Sequence, residues 1–185
     1  MTKPGESRRT DSPRIHWKSD EYFGFRPDSH DWARLAAYID GEGSINLSPR
    51  RTDKNKTMTL CAKVVVTNTD FRLAKWCLDT FGMKFYSHNN NSKGNSKWSP
   101  CFYAQACGYK AAWILRNCLP WFVLKMAQAE VVLDHQETIG PDVWKRGRGM
   151  TTPEDILDLR MELKQRLTEL NKRGPAISQE VTVEE

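Results

Sequence analysis

At 185 residues, with 39% hydrophobic and 28% charged side chains, the chain has the length and make-up of about one soluble globular domain with a real core. Its net charge of +5 suits an anionic partner, although a mildly basic balance is common and identifies none. No apolar run is long enough to cross a bilayer, the five cysteines form no CxxC pair, and the four histidines stand far from zinc-finger spacing; a membrane span, a disulfide framework and a structural zinc site are excluded, which leaves reduced, partly buried thiols.

Residues 1–28 are polar and broken by Pro4, Pro13 and Pro27. They read as a flexible arm with some aromatic contacts from Trp17, Tyr22, Phe23 and Phe25. Arg8, Arg9 and Arg14 are mixed with Glu6 and Asp11 and no apolar core follows. The arm is therefore neither a secretory signal nor a transit peptide, and an intracellular protein is expected. The domain proper is expected over 29–174, followed by a short, disordered acidic tail at 175–185.

Ser29 is a good N-cap for a helix over about 30–40, with Asp31 in its first turn. This helix carries Leu35, Tyr38 and Ile39 on one side and the small residues Ala33, Ala37 and Gly41 on another; Gly41 and Gly43 end it. Polar and apolar residues then alternate over 44–48 and 57–67, which predicts two strands joined by a basic tip, Arg50 to Lys56. A helix capped near Asn68 or Thr69 and stopped by Gly82 follows. A second strand pair is expected at 83–88 and 101–106, then a helix from Tyr109 to Leu119 and another from Pro120 to about Thr138. In the last helix Thr152 caps, Pro153 takes the first position, and Ile156, Leu159, Leu163, Leu167 and Leu170 form the apolar stripe. The order αββαββα with C-terminal helices is an α+β fold, an antiparallel sheet covered on one face by helices, with no internal repeat.

The segment Leu35-Ala-Ala-Tyr-Ile-Asp-Gly-Glu-Gly-Ser-Ile45 contains a physical conflict. Asp40 and Glu42 sit at the negative end of the helix dipole, where lysines are preferred. Two such acids ordinarily end in solvent, but a local rule broken beside glycines hints at function. A divalent cation would relieve the conflict, with backbone carbonyls of the helix end sharing its coordination. The line Ala33, Ala37, Gly41 would admit a second such helix, and a two-fold axis would bring two copies of Glu42 together.

This string resembles the LAGLIDADG motif at nearly every position, and the order of elements from Ser29 to Arg173 is similar to that of the single-motif LAGLIDADG homing endonucleases. The resemblance implies a saddle-shaped antiparallel sheet, a homodimer, and Mg²⁺-dependent hydrolysis of both strands of a long, pseudo-palindromic DNA, leaving 3′ overhangs. It implies metal binding by Glu42 and the Gly41 carbonyl, with Asp40 left to helix-end structure. The stretch Pro120 to Ala129 resembles the family segment with the active-site lysine, which would be Lys125; an isolated lysine otherwise packs its stem and snorkels. Val66 to Arg72 resembles the segment with a water-positioning amide and an arginine, here Asn68 and Arg72, although a surface salt bridge competes for Arg72. Metal ions that keep several waters suit a site with few carboxylates.

A β-ribbon can enter the major groove. If Ile45 and Leu47 face the helices, then Asn46, Ser48 and Arg50 face DNA, with Thr59, Cys61, Lys63 and Val65 on the partner strand. Arg51, Lys54 and Lys56 at the tip suit phosphate contact. In the second pair either Lys84, Tyr86 and His88 or Phe85, Ser87 and Asn89 point to DNA, and the sequence leaves both open. The absence of splicing blocks favours intron encoding. Two alternatives remain: an RNA maturase of the same fold that binds its host intron, and a DNA-binding regulator without activity. Cleavage needs Mg²⁺, whereas binding by a regulator survives EDTA.

Overall fold

Asp28, not Ser29, caps the first helix, α1 (Ser29–Glu42). Its carboxylate accepts from the Asp31 amide at 2.8 Å, and the Asp31 carboxylate accepts from the Asp28 amide at 3.3 Å, a reciprocal capping box. The buried stripe is Trp32, Leu35, Ala36 and Ile39, spaced as one helix face requires. Tyr38, expected on that face, lies beside it, edge-on to Trp76. The helix also runs two residues further than its glycines suggest, so that Gly41 and Glu42 are helical and Gly43 is the cap.

The computed structural model describes residues 23–51, 58–88, 100–139 and 152–172. Four antiparallel strands, β1 (Gly43–Arg51), β2 (Met58–Asn68), β3 (Lys84–His88) and β4 (Cys101–Cys107), form one sheet in the order β1-β2-β4-β3. Ile45, Leu47, Leu60, Ala62, Val64, Val66, Ala104 and Ala106 are buried on one face. The helices among the described residues pack on that face: α1, α2 (Phe71–Phe81), α3 (Tyr109–Cys118), α4 (Met126–Glu137) and α5 (Glu154–Leu170). The α+β architecture read from sequence is the one observed.

Three further boundaries differ from those expected. Asp70, rather than Asn68 or Thr69, caps α2 by accepting from the Arg72 amide at 2.9 Å. Between α3 and α4 a short 3-10 turn, Leu119–Trp121, and an extended link interrupt what sequence suggested as one helix from Pro120. No side chain caps α5; Pro153 occupies the cap position and Thr152 is buried instead. Only the middle of the expected leucine stripe on α5 reaches the core. Leu163 and Leu167 are buried, while Leu159 and Leu170 are exposed, because α5 lies along the rim and packs mainly on α4 and β1.

Phe23 and Phe25 pack against the core, Phe23 meeting Trp113 at 4.9 Å. Gly82 ends α2 at φ +62°, a left-handed conformation that glycine adopts freely, and a Cβ there would strike the Phe25 ring. The five cysteines are free thiols. No helix among the described residues is long and apolar enough to cross a membrane. Residues 1–22, the tail 175–185, Lys54, Lys56 and Asn89 lie outside the described residues, as do the side chains of Arg50, Arg51 and His88.

Candidate nuclease site and nucleic-acid face

The end of α1 gathers the acids, amide and lysine that the sequence singled out. Asp40 turns toward the link before α4, where its carboxylate accepts from the amides of Val123 at 2.8 Å, Leu124 at 3.3 Å and Lys125 at 2.9 Å. In return the Lys125 ammonium donates to the carbonyl of Ile39 at 2.7 Å and to that of Asp40. The Asp40 carbonyl is one that a helix end leaves without an intrahelical partner, whereas the Ile39 carbonyl also accepts from the Gly43 amide. Burial lowers the Lys125 pKa from its ordinary value, and the Asp40 charge opposes that shift in part. At Asp40 the dipole conflict is thus relieved by three backbone amides and by the Lys125 ammonium.

Glu42 stands apart from this clamp. It is exposed, and its Oε2 accepts from the Asn68 side-chain amide at the end of β2. Asn68 is fixed in turn, since its Oδ1 accepts from the Asp70 amide at 2.8 Å. Gly43 allows the chain to turn from helix into β1, because a Cβ there would lie 2.6 Å from the Ile39 Cα. At Gly41 a Cβ would meet nothing within 4 Å, and Ala37 one turn earlier is exposed.

Arg72 reaches Asp70 rather than Glu42 or Asn68. Its Nε donates to both Asp70 oxygens, at 3.0 and 2.8 Å, and its Nη2 also bonds there. The side-chain bond from Arg72, then the backbone bond, pull the Asp70 carboxyl down to about 2. The surface salt bridge weighed against a catalytic arginine is therefore present. Arg72 also lines a cleft of about 430 Å³ with Arg34, Tyr38, Asn68, Asp70, Leu73 and Trp76.

A metal site must be judged on its donors. Glu42 supplies an exposed carboxylate with one oxygen left free by Asn68, and no group of three or more acids, histidines or cysteines forms a cluster among the described residues. Hard oxygen donors this few fit a cation that keeps most of its waters, and Mg²⁺ behaves in that way.

The sheet face opposite the helices carries the remaining candidates. Asn46 pairs with Lys63 and Ser48 with Cys61 across β1 and β2, and Thr59 and Val65 share their face. The register left open for the second pair is resolved, since Phe85 pairs with buried Ala104. Lys84 and Tyr86 therefore face outward, opposite Gln105 and Tyr103. The rings of Tyr86 and Tyr103 stack at 5.0 Å and 19°. Sequence reasoning missed Tyr103 and Gln105, whose parity follows only from strand pairing, and Asp70, whose partner is two residues away in sequence.

No family model matches the chain, and neither does any curated protein. Solved structures do. The homing endonuclease I-CvuI, in complex with its target in the presence of Ca, superposes with a TM-score of 0.55 at 19% identity, over 80% of this chain and 85% of that one. The archaeal intron-encoded homing endonuclease I-Vdi141I, complexed with DNA, gives a TM-score of 0.58 at 13% identity over 79% and 87%. The LAGLIDADG homing endonuclease I-SmaMI, bound to cleaved DNA, gives 0.56 at 12% identity, over 76% of this chain but only 45% of that one. The fold is that of the LAGLIDADG homing endonucleases.

Proposed function

We propose that the chain is a LAGLIDADG homing endonuclease that acts as a homodimer and makes a metal-dependent double-strand break in a long, pseudo-palindromic DNA site. The observation that carries this reading is the division of labour at the end of α1. Asp40 is consumed by backbone amides, whereas Glu42 is presented to solvent, oriented by Asn68, where α1 passes into β1 of the polar sheet.

Glu42 and the Gly41 carbonyl would hold a divalent cation, Mg²⁺ by its preference for oxygen ligands and retained water. Such a cation supplies charge neutralisation at a phosphate and an acidified bound water. The chain's own part is positioning. Asn68 holds Oε2 of Glu42 and leaves Oε1 free. Lys125 spends two of its three donors on helix carbonyls and has one for a phosphate oxygen or a water. Arg72, held on Asp70, would meet a phosphate from the cleft it lines. Across the open sheet face Asn46, Ser48, Thr59, Cys61, Lys63, Lys84, Tyr86, Tyr103 and Gln105 would line the major groove.

The homodimer is supported by the exposed small face of α1 at Ala37 and Gly41. Beside that helix end Val123 and Leu124 are 85% and 70% exposed, an uncovered apolar pair of the kind that marks an interface. The chain also spans most of I-CvuI and I-Vdi141I but under half of I-SmaMI, as one unit of a two-unit enzyme would. The intron-encoded origin of I-Vdi141I favours the same origin here.

The test is incubation of a randomised double-stranded DNA library with Mg²⁺ and the wild-type or Glu42→Gln protein. One long, near-palindromic site cut with 3′ overhangs by wild type alone is the expected result. No cutting, with retention of structured RNA instead, would replace this reading with the maturase.

A further inference from the structure

The C-terminal helix α5 is anchored at two points. Before its midpoint the buried Arg160 donates through Nε to the Thr138 hydroxyl at 2.7 Å and through Nη2 to the Thr138 carbonyl at 2.6 Å. Near its end Gln128 of α4 donates to the Leu170 carbonyl at 3.2 Å. The next residue, Asn171, is the C-cap and leaves the helix toward β1. Its side-chain amide donates to the Ile45 carbonyl at 3.0 Å and reaches the Asn46 Oδ1 at 3.4 Å.

β1 is an edge strand, and Asn46 lies on its open face opposite Lys63. A solvent-facing asparagine side chain can turn its amide either way, presenting an acceptor or two donors. Here the Ile45 carbonyl can bond only to a donor, which fixes the Asn171 NH₂ in place, and that NH₂ then draws the Asn46 oxygen toward itself. The NH₂ of Asn46 is left to face outward.

We infer that Asn171 is a positioning residue for base recognition: it orients the Asn46 amide so that this side chain presents hydrogen-bond donors to the DNA groove. The inference rests on the DNA-cleaving reading above. An NH₂ alone matches guanine, which presents two major-groove acceptors (N7, O6), and thymine (O4), whereas adenine sets a donor (N6–H₂) beside its N7 acceptor and is paired bidentately only by an asparagine free to offer its oxygen as well. An oriented side chain also loses less rotamer freedom on binding.

The experiment is selection of cut sites from a randomised double-stranded library with Mg²⁺ by wild type, Asn171→Ala, Asn171→Asp, Asn46→Ala and the Asn46→Ala/Asn171→Ala double variant, with thermal melting of each. Wild type is expected to prefer guanine or thymine at one symmetry-related position in each half-site. Both Asn171 variants are expected to weaken that preference by roughly five- to ten-fold and to admit adenine there, with preferences elsewhere unchanged. The isosteric Asp variant lacks the donors and accepts from the Asn46 NH₂ instead, which turns the Asn46 oxygen outward, so it admits adenine at least as readily as the Ala variant even if Ala melts lower. In the Asn46→Ala background the Asn171 substitution should change nothing further at that position. A wild-type preference profile in both Asn171 variants, whatever their melting temperature, would reduce Asn171 to a cover for an edge-strand carbonyl and overturn the inference. Additive effects in the double variant would overturn it too. A wild-type protein that selects no DNA would remove the endonuclease reading first and this inference with it, so the two failures are distinct.

Discussion

The ammonium of Lys125 lies 2.7 Å from the carbonyl oxygen of Ile39, on the last turn of the helix that ends in Glu42. Lys125 and Asp40 clamp one another's backbone: the lysine binds carbonyls of α1 while the aspartate binds amides of the 123–125 link. The position of Glu42 is therefore set by residues some 85 positions further along the chain.

Breaking either half of the clamp should be costly. Asp40→Ala strands three amides and is expected to destabilise the fold by about 2–4 kcal/mol. Lys125→Met keeps the stem and removes the donors, so a smaller loss of about 1–2 kcal/mol is expected together with loss of cutting. Urea melts and single-turnover cleavage check both. If Lys125→Met cuts at the wild-type rate, the third donor of the ammonium has no part in the chemistry.

Glu42→Gln should behave in the opposite sense. The carboxylate is exposed and its protein partner is an amide, so the melting temperature should move little, by less than about 0.5 kcal/mol equivalent. Cutting should disappear while DNA binding in EDTA persists. Parallel loss of binding and stability would mean that Glu42 is structural.

The two neighbouring glycines should respond differently to alanine. At Gly43 the added Cβ would collide with the backbone of Ile39, so Gly43→Ala should cost about 1–3 kcal/mol. At Gly41 the added methyl meets nothing in its own protomer. Gly41→Ala should leave the protomer folded and weaken dimer assembly, read by sedimentation velocity. Unchanged assembly would place the two-fold interface elsewhere.

Acid should weaken the packing of α4. His135 is fully buried there, and neither ring nitrogen has a hydrogen-bond partner. Burial, and then the Arg160 charge, hold its pKa down at about 4 against an ordinary 6.5. The unfolded chain takes up that proton near 6.5 and the folded chain only near 4. Stability from the neutral imidazole is thus full above about pH 6.5, falls as pH drops toward 4, and levels off below. The loss is on the order of 3 kcal/mol at most. His135→Leu should flatten this part of the stability profile in denaturant titrations at stepped pH. Equal slopes for both proteins would assign the acid sensitivity to other groups.

What the sequence revealed, and what it hid, follows from range. The alternation of Ile45 and Leu47 against Asn46 and Ser48, and of Ala62, Val64 and Val66 against Cys61 and Lys63, is local, so the buried face of β1 and β2 was legible. The short β3 offers both parities equally, and only its pairing with β4 decides that Tyr86 faces outward. Asp28 and Ser29 are both good caps, and the choice turns on which one Asp31 can answer. The Asp40 and Lys125 clamp and the Asn171 bridge join residues far apart in the chain, and no local pattern announces either. The motif singled out the two acids but not their separate partners.

The period of two along the strands has a further consequence, for how such a protein can change over time. Side chains of the open face and of the core alternate along β1 and β2, so the outward positions there can be exchanged one at a time without disturbing the packing beneath. A lineage can thus drift toward new ligands by substitution while its scaffold stays constant. Gain or loss of a single residue within β2 would instead carry charged and polar groups inward and Val64 and Val66 outward. Such a surface evolves freely by replacement and is closed to insertion.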